Sequence, residues 1–312
     1  MWTLLAFISA LCLGCYDVSK KIALRSHTVT DVLTISICIS AVILSVPWLL
    51  SLFAPEVMMG TPFFVPQLDG KGHLLTLLKS VLVLSSWIFA YISLKYLPIS
   101  LVSPMQATRP MWTLIGALLL FDEHLNSWQW AGVLLAIGTI FIFSFQQRAT
   151  IRKQPVSGDG KAGRYYLCLA LAILIGACCG LYDKYLMRRY DHNAVQVYYT
   201  FYQAILMLAV WLIARAREHA SSTPHPTLRF SLRSMLPIVL ISVFLVISDN
   251  VYMLALRDPD AMIAVVSTIR RGGTLIGFAY GLIFLREPDP WRKLLCMLGI
   301  ATALVCLAIG AA

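Results

Sequence analysis

The chain has 312 residues, of which 59% are hydrophobic and 13% charged, and its formal net charge is +10 at pH 7. A water-soluble protein needs about 25% charged residues to cover its surface, so this composition excludes a soluble fold and predicts an integral membrane protein. The basic residues fall mostly in short connections between apolar segments, which is typical of loops held on the cytoplasmic side and not of a nucleic-acid-binding surface. We therefore expect contact with a lipid bilayer and no nucleic-acid partner.

The apolar segments are long enough to cross a membrane, which takes roughly 20 residues of helix. The first segment has neither a basic N-terminal region nor a small-residue cleavage site, so we expect a retained helix and not a signal peptide. All eight cysteines lie inside apolar segments and indicate packing positions, not a disulfide framework. In chain order, the ten predicted spans are approximately 2–24, 31–54, 74–95, 98–121, 128–146, 165–187, 194–214, 235–257, 260–285 and 291–311.

Two motifs occur twice in the chain, in the same order. Residues 12–17 (Cys-Leu-Gly-Cys-Tyr-Asp) in the first span resemble residues 178–183 (Cys-Cys-Gly-Leu-Tyr-Asp) in the sixth, at an offset of 166 residues. Arg109, followed four residues later by Thr-Leu-Ile-Gly, recurs as Arg270 with Thr-Leu-Ile-Gly at the same spacing in the ninth span, at an offset of 161. Such nearly equal offsets indicate an internal duplication.

The duplication predicts how the chain is divided. We expect a first five-helix repeat at residues 1–146, a polar linker at 147–164 and a second five-helix repeat at 165–312. Because five is an odd number, the second repeat must enter the membrane from the opposite side. The sequence therefore predicts an all-α integral membrane fold of ten transmembrane helices in two inverted repeats, a construction typical of secondary transporters.

Residues near the ends of the fourth and ninth spans form a recognisable pattern. The fourth span ends at Glu123 and is followed by residues 128–138 (Trp-Gln-Trp-Ala-Gly-Val-Leu-Leu-Ala-Ile-Gly), and the second half has a counterpart in residues 286–288 (Arg-Glu-Pro), Trp291 and residues 298–299 (Leu-Gly). In these residues the chain resembles the EamA-like branch of the drug/metabolite transporter superfamily. The resemblance implies transport across the bacterial inner membrane and a central cavity lined by the fourth and ninth helices, and it indicates no particular substrate.

Membrane orientation is left open by two opposing indications. Sixteen basic residues fall in the odd-numbered connections against at most six, including Lys79 and Lys184, in the even-numbered ones. By the positive-inside rule this favours both termini outside. The family resemblance favours both termini in the cytoplasm.

Three arginines lie inside the fourth and ninth spans, near their middle. An arginine costs about 2.5–3.5 kcal/mol to insert at that depth, so each needs an anionic group, either on a substrate or on an acidic residue of a neighbouring helix. Pro104 and Pro110 predict a kinked fourth helix whose freed carbonyls line a cavity, whereas the ninth span has no proline and contains Gly272-Gly273 instead. The residues that the resemblance places on the cavity wall are Arg109, Arg270, Arg271, Gln106 and Trp112.

Acidic and aromatic residues inside the spans complete the candidate site. Asp249 lies in the middle of the eighth span and is a candidate for proton coupling, because a carboxylate in a low-dielectric cavity takes up a proton more readily. Asp17 and Asp183 lie next to basic residues of their own helices, such as Lys20 and Lys184, so we expect local ion pairs, with proton coupling as the alternative. Aromatic rings facing inward can stack on a substrate, whereas Tyr198 and Tyr199, near a helix start, are expected to pack or to lie in an interfacial belt. The further candidates for substrate binding are Trp87, Tyr91, Asn250 and Tyr252.

Motifs of other function classes are absent from the sequence. It has no phosphate-binding Gly-x-x-x-x-Gly-Lys-Ser/Thr motif, and all six histidines lie at span ends or in connections. We therefore expect no enzymatic activity, no cofactor and no metal site.

Together these features predict a secondary transporter of a small polar or amphipathic metabolite, working by alternating access as a monomer or homodimer, with proton coupling, exchange coupling or neither. Spans three, four, eight and nine would line its cavity, with contributions from one and six. A lipid-carrier flippase on the same fold and a non-transporting membrane adaptor are the alternatives.

Overall fold

The computed structural model describes residues 1–23, 27–96, 105–106, 108–151, 162–220, 232–283 and 290–310. Within these ranges the chain forms helices and no strands, which confirms the all-α prediction. In chain order, the helices are α1 (Trp2–Ala23), α2 (Val29–Phe53), α3 (Pro55–Met58), α4 (Gly70–Tyr96), α5 (Arg109–Phe121), α6 (Ser127–Ile151), α7 (Ala162–Met187), α8 (His192–Ala220), α9 (Leu232–Arg257), α10 (Ile263–Arg271), α11 (Thr274–Ile283) and α12 (Pro290–Gly310).

Many of these helices have the length and composition of membrane spans. Six of them, α1, α2, α4, α7, α8 and α9, are long and apolar enough to cross a bilayer, and α5, most of α6 and most of α12 are shorter apolar helices. Large apolar side chains such as Leu119, Ile205 and Leu295 are exposed on their surfaces, as expected where lipid tails are the solvent. A multi-span membrane protein is thereby confirmed, while the count of ten transmembrane helices stays a prediction.

The main helix contacts join the two halves of the chain. Helix α1 packs along α9, α4 along α7, α2 along α8 and α6 along α12. Helices α1 and α9 are the first and eighth predicted spans, and α4 and α7 are the third and sixth. Exchanging the two halves of the chain turns the first pair into the second, so two equivalent halves would produce this arrangement. The repeat boundaries, and the linker that falls largely outside the described ranges, stay predictions.

The ninth predicted span is interrupted, because helices α10 and α11 are separate and meet at Gly272-Gly273. At this break the chain touches α1 so closely that a Cβ on Gly273 would lie 2.5 Å from the carbonyl oxygen of Ala10, and a Cβ on Gly14 would lie 2.5 Å from the carbonyl oxygen of Gly273. Only residues without a side chain permit such a backbone approach. The Gly-Gly pair therefore interrupts the ninth span, whereas the sequence predicted an interruption, by proline, only in the fourth span.

The fourth predicted span also differs from the expected helix with a kink at Pro110. Helix α5 begins at Arg109, with Pro110 in its first turn, where the missing N–H removes no helical hydrogen bond. The prediction that Pro110 frees a carbonyl within a helix is therefore wrong, and Pro104 lies outside the described residues. Arg109 at the start of α5 and Arg270 near the end of α10 thus both lie at helix ends.

Candidate functional site

A polar cavity of about 390 Å³ lies among α1, α4, α5, α7, α8, α9 and α10. This volume is within the range of small-molecule binding sites, and the helices include all six of the spans expected to line a central cavity. All three predicted arginines and all three predicted aspartates are on its wall. The ionisable residues that line it are Asp17, Lys20, Lys79, Arg109, Asp183, Asp249, Arg270 and Arg271.

Arg109 is held in this cavity by neutral groups. Its Nη2 donates a hydrogen bond to Oγ of Ser86 on α4 at 2.9 Å and a longer one to the carbonyl oxygen of Ala172 on α7 at 3.4 Å. Its Nε is buried and has no hydrogen-bond partner, and no acidic side chain of the described residues forms an ion pair with it. The guanidinium group therefore keeps unused capacity to bind an anion.

A glycine on α7 makes room for this arginine. A Cβ built on Gly176 would lie 1.3 Å from Nη2 of Arg109, so any side chain at this position would displace the guanidinium group. The glycine thus fixes where the positive charge enters the cavity, although sequence reasoning gave it no role.

Arg270, in contrast, is paired with an acid. Its Nη2 donates to Oδ1 of Asp249 on α9 at 2.8 Å and to Oγ of Ser248 at 3.2 Å, and its guanidinium carbon lies 4.0 Å from the centre of the Tyr252 ring. These contacts provide an ion pair and a cation–π interaction. Pairing with an acid of a neighbouring helix, one of the two interpretations left open for these arginines, therefore applies to Arg270, whereas no described acid pairs with Arg109.

A second ion pair on the wall joins α4 and α7. Nζ of Lys79 lies 2.9 Å from Oδ1 of Asp183 and 4.5 Å from the centre of the Tyr199 ring, and the lysine is buried. The local pair expected between Asp183 and Lys184 is therefore wrong, since Lys184 instead pairs with Glu123. Both lysines lie inside the helix bundle and do not count as charges of the even-numbered connections. The position of Lys79 inside an apolar span could have identified it from the sequence as a residue of the site.

The remaining acid and two of the aromatic residues also reach the cavity. Asp17 and Lys20 lie on the wall on α1, but the structure records no ion pair between them; the neighbouring side chain of Lys21 lies outside the described part of the chain. Tyr252 and Trp87, two candidates for substrate binding, line the cavity, and their role in binding stays a prediction.

Four assigned or expected positions turn out differently. Trp112 is 41% exposed on the outer face of α5, because on a helix it lies about 100° from Thr113, which lines the cavity. Gln106 and Asn250 are not on the wall; Asn250 instead donates to side-chain oxygens on α8. Tyr199 was expected to pack or to lie in an interfacial belt, because it was placed near a helix start. Helix α8 begins two turns before it, and Tyr199 lines the cavity. The side chain of Tyr91 lies outside the described residues.

Several lining residues carried no signal in the sequence that separated them from ordinary core positions. These are Val83, Ser86, Leu245, Met253 and Ser267. Within the described ranges, no group of three or more histidine, cysteine, aspartate or glutamate side chains is placed to hold a metal ion.

Comparisons with known proteins bear on this site. Residues 1–145 match the model of the EamA-like transporter family. No curated protein matches the sequence. Among solved structures, one crystal structure covers 99% of this chain and 96% of its own, with a TM-score of 0.71 and 12% sequence identity. At that identity the likeness shows a shared fold over essentially the whole chain.

Proposed function

We propose that this chain, whose residues 1–145 match the model of the EamA-like transporter family, is a member of the drug/metabolite transporter superfamily and a secondary transporter of a small polar or amphipathic metabolite. The observation that carries the proposal is the charged cavity containing Arg109, whose Nε is buried and which pairs with no described acid. A buried guanidinium without a counter-charge is costly, and an anionic group on a substrate would offset that cost. The planar fork of the guanidinium suits a carboxylate or a phosphate.

The interrupted helices support alternating access. Discontinuous helices surround the substrate sites of several transporter folds, because unwound backbone is tolerated where it lines a cavity. Here the break at Gly272-Gly273 lies directly after Arg271, and α5 begins at Arg109. A movement of one half against the other would carry these helix ends with it and change the side from which the cavity is reached.

A ligand screen followed by reconstitution tests this function. Metabolites are added to detergent-purified protein, and a ligand that binds only the folded state raises its stability by about 2.7 kcal/mol at 100 times its Kd. Hits are then measured for uptake into proteoliposomes that contain this protein alone. A flippase would instead move a labelled lipid between leaflets, and an adaptor would show no flux for any hit, so either result contradicts the proposal.

Gly176→Ala is expected to lower substrate affinity by about tenfold or more while barely changing stability. The new methyl group would occupy the position of Nη2 of Arg109, and misplacing a charge-assisted hydrogen bond costs about 1.5–3 kcal/mol. Only the end of a flexible side chain has to move, so the fold tolerates the change. Gly138→Ala is the matched control, because no heavy atom lies within 4 Å of the added methyl group. Equal affinities for both variants would argue against a role for the position of Arg109.

Asp249→Asn tests proton coupling. If Asp249 exchanges a proton during transport, the asparagine variant should lose accumulation of substrate against a gradient but keep exchange of external for internal substrate. Proteoliposomes with an imposed pH gradient measure the first activity and counterflow measures the second. Asp260→Asn changes an exposed acid away from the cavity and serves as the control. Accumulation with unchanged pH dependence in Asp249→Asn would assign Asp249 a structural role, as the partner of Arg270.

A further inference from the structure

A short chain of hydrogen bonds occurs twice in the molecule, once in each half. Nη2 of Arg109 donates to Oγ of Ser86, and this hydroxyl donates to a backbone carbonyl of α7 at 3.0 Å. In the same way, Nη2 of Arg270 donates to Oγ of Ser248, and this hydroxyl donates to a backbone carbonyl of α1 at 2.9 Å. Each arginine is thus held by a serine that is itself fixed to a helix of the other half.

The residues before the two serines correspond as well. Residues 80–86 (Ser-Val-Leu-Val-Leu-Ser-Ser) and 242–248 (Ser-Val-Phe-Leu-Val-Ile-Ser) both begin with Ser-Val and end with Ser, at an offset of 162 residues. Their first serines, Ser80 and Ser242, each donate to a carbonyl one turn earlier in their own helix and to a carbonyl in the other half of the chain. Sequence and hydrogen bonds therefore give the same correspondence between α4 and α9.

At this offset, Asp249 in the second half corresponds to Trp87 in the first. Both residues line the cavity and directly follow the serine that holds the arginine. In the second half, the carboxylate of Asp249 accepts a hydrogen bond from Nη2 of Arg270 at 2.8 Å. In the first half, the ring of Trp87 packs against an apolar cluster of α2, α4 and α8 and supplies no charge. Arg109 thus lacks the carboxylate that its counterpart has.

From this correspondence we infer that the substrate carries a carboxylate, which binds Arg109 in the position that Asp249 takes at Arg270, and that Trp87 determines specificity by leaving this position open. The bound substrate then gives the first half the ion pair that the second half already contains. A carboxylate on α4 would fill the position from within, whereas tryptophan offers an apolar surface beside it. This inference rests on the proposed transport function and adds the chemical class of the bound group and its place in the cavity.

Two variants at position 87 test the correspondence without a ligand. Trp87→Asp and Trp87→Asn both remove the ring and introduce side chains of nearly equal size, so only the charge separates them. Trp87→Asp should unfold at the higher temperature, and the order should reverse when both are combined with Arg109→Gln, because the acid is then buried without a partner. If Trp87→Asp is no more stable than Trp87→Asn while Arg109 is present, the inference is overturned. It is also overturned if the order stays the same with Arg109→Gln, since the acid would then pair with another cation.

Acetate, which reproduces an aspartate side chain, probes the same position from outside and does not depend on the variants at position 87. At equal ionic strength and pH, acetate should raise the unfolding temperature of the wild type more than chloride, acetamide or inorganic phosphate does, and Arg109→Gln should abolish the difference. Asp249→Gly removes the internal carboxylate, so acetate should stabilise this variant more than the wild type by binding Arg270 as well. If acetate stabilises neither protein more than chloride does, or if phosphate stabilises the wild type more than acetate does, the inference is wrong.

Uptake measurements distinguish this inference from the function on which it rests. For a transported substrate, uptake by Trp87→Asp should be about tenfold or more below uptake by Trp87→Asn, because the introduced carboxylate competes with the substrate for Arg109. If the two variants take up the substrate equally, or if the substrate has no carboxylate, the inference is wrong and the transport function stands. If acetate binds as expected but no metabolite is transported, the carboxylate position stands and the transport function fails.

Discussion

Arg109→Ala should reduce substrate uptake by about 100-fold while leaving a folded protein. Removing one partner of a buried charge pair costs about 2–5 kcal/mol of binding, and here the lost partner is a cavity arginine that forms no ion pair with any described acid. Its present contacts are to neutral groups, Oγ of Ser86 and the carbonyl oxygen of Ala172. The serine still donates to that carbonyl at 3.0 Å, so the mutation leaves no carboxylate stranded and little reason to unfold.

The comparison with Arg270→Ala sharpens this expectation. Removing Arg270 leaves Asp249 without its ion-pair partner at 2.8 Å, so that variant should lose stability as well as uptake. Arg109→Lys retains the positive charge but not the planar guanidinium group, so its rate of substrate uptake should lie between those of the wild type and of Arg109→Ala. Initial uptake rates in proteoliposomes, with folding checked by monodispersity and thermal unfolding, measure these effects. Wild-type uptake by a folded Arg109→Ala protein would refute the assignment of Arg109 to the substrate.

The repeated motifs predicted the central residues of the cavity. Arg109 and Arg270 recur at matching positions of two motifs, as do Asp17 and Asp183, and all four line one cavity. The physical reason is that an ionisable residue inside an apolar span must avoid lipid and therefore faces the interior of the bundle. A search for charges inside spans was enough to find these residues without any information on contacts.

The partners of these residues depended on contacts between distant helices. Asp183 has Lys184 beside it in the chain, but successive helical residues point about 100° apart, and the partner of Asp183 is Lys79 on α4. In the same way, Trp112 follows Arg109 closely and yet lies on the outer face of α5. Sequence periodicity was too weak in these almost uniformly apolar helices to assign the face on which each residue lies.

Glu123→Ala should destabilise the protein by about 3–5 kcal/mol, because it breaks a buried connection between three helices. The carboxylate of Glu123, just beyond α5, accepts hydrogen bonds from the backbone N–H groups of Ile263 at 2.7 Å and Ala264 at 3.2 Å. It also pairs with Lys184 of α7, whose Nζ donates to the carbonyl oxygen of Ala261 at 2.7 Å. The side chains of Glu123 and Lys184 are 4% and 3% exposed.

The first turn of α10 explains why this carboxylate matters. The side chain of Met262, the N-cap residue of α10, makes no capping hydrogen bond, and two of the orphan N–H groups of that turn are satisfied by Glu123 from another part of the chain. Alanine would leave those donors unsatisfied and the charge of Lys184 uncompensated. Glu123→Gln, which keeps an acceptor but not the charge, should have an intermediate effect.

A double variant separates the ion pair from the cap. Glu123→Leu combined with Lys184→Met removes both buried charges together, so it should be more stable than Glu123→Ala, although the N–H groups of α10 still lack an acceptor. Reversible unfolding in mixed detergent measures the free energies, and Glu56→Ala, at an exposed acid on α3, should stay within about 0.5 kcal/mol of wild type. If Glu123→Ala were as stable as Glu56→Ala, the carboxylate would not be holding α5, α7 and α10 together. If the double variant were no more stable than Glu123→Ala, the main loss would come from the cap and not from the unpaired lysine.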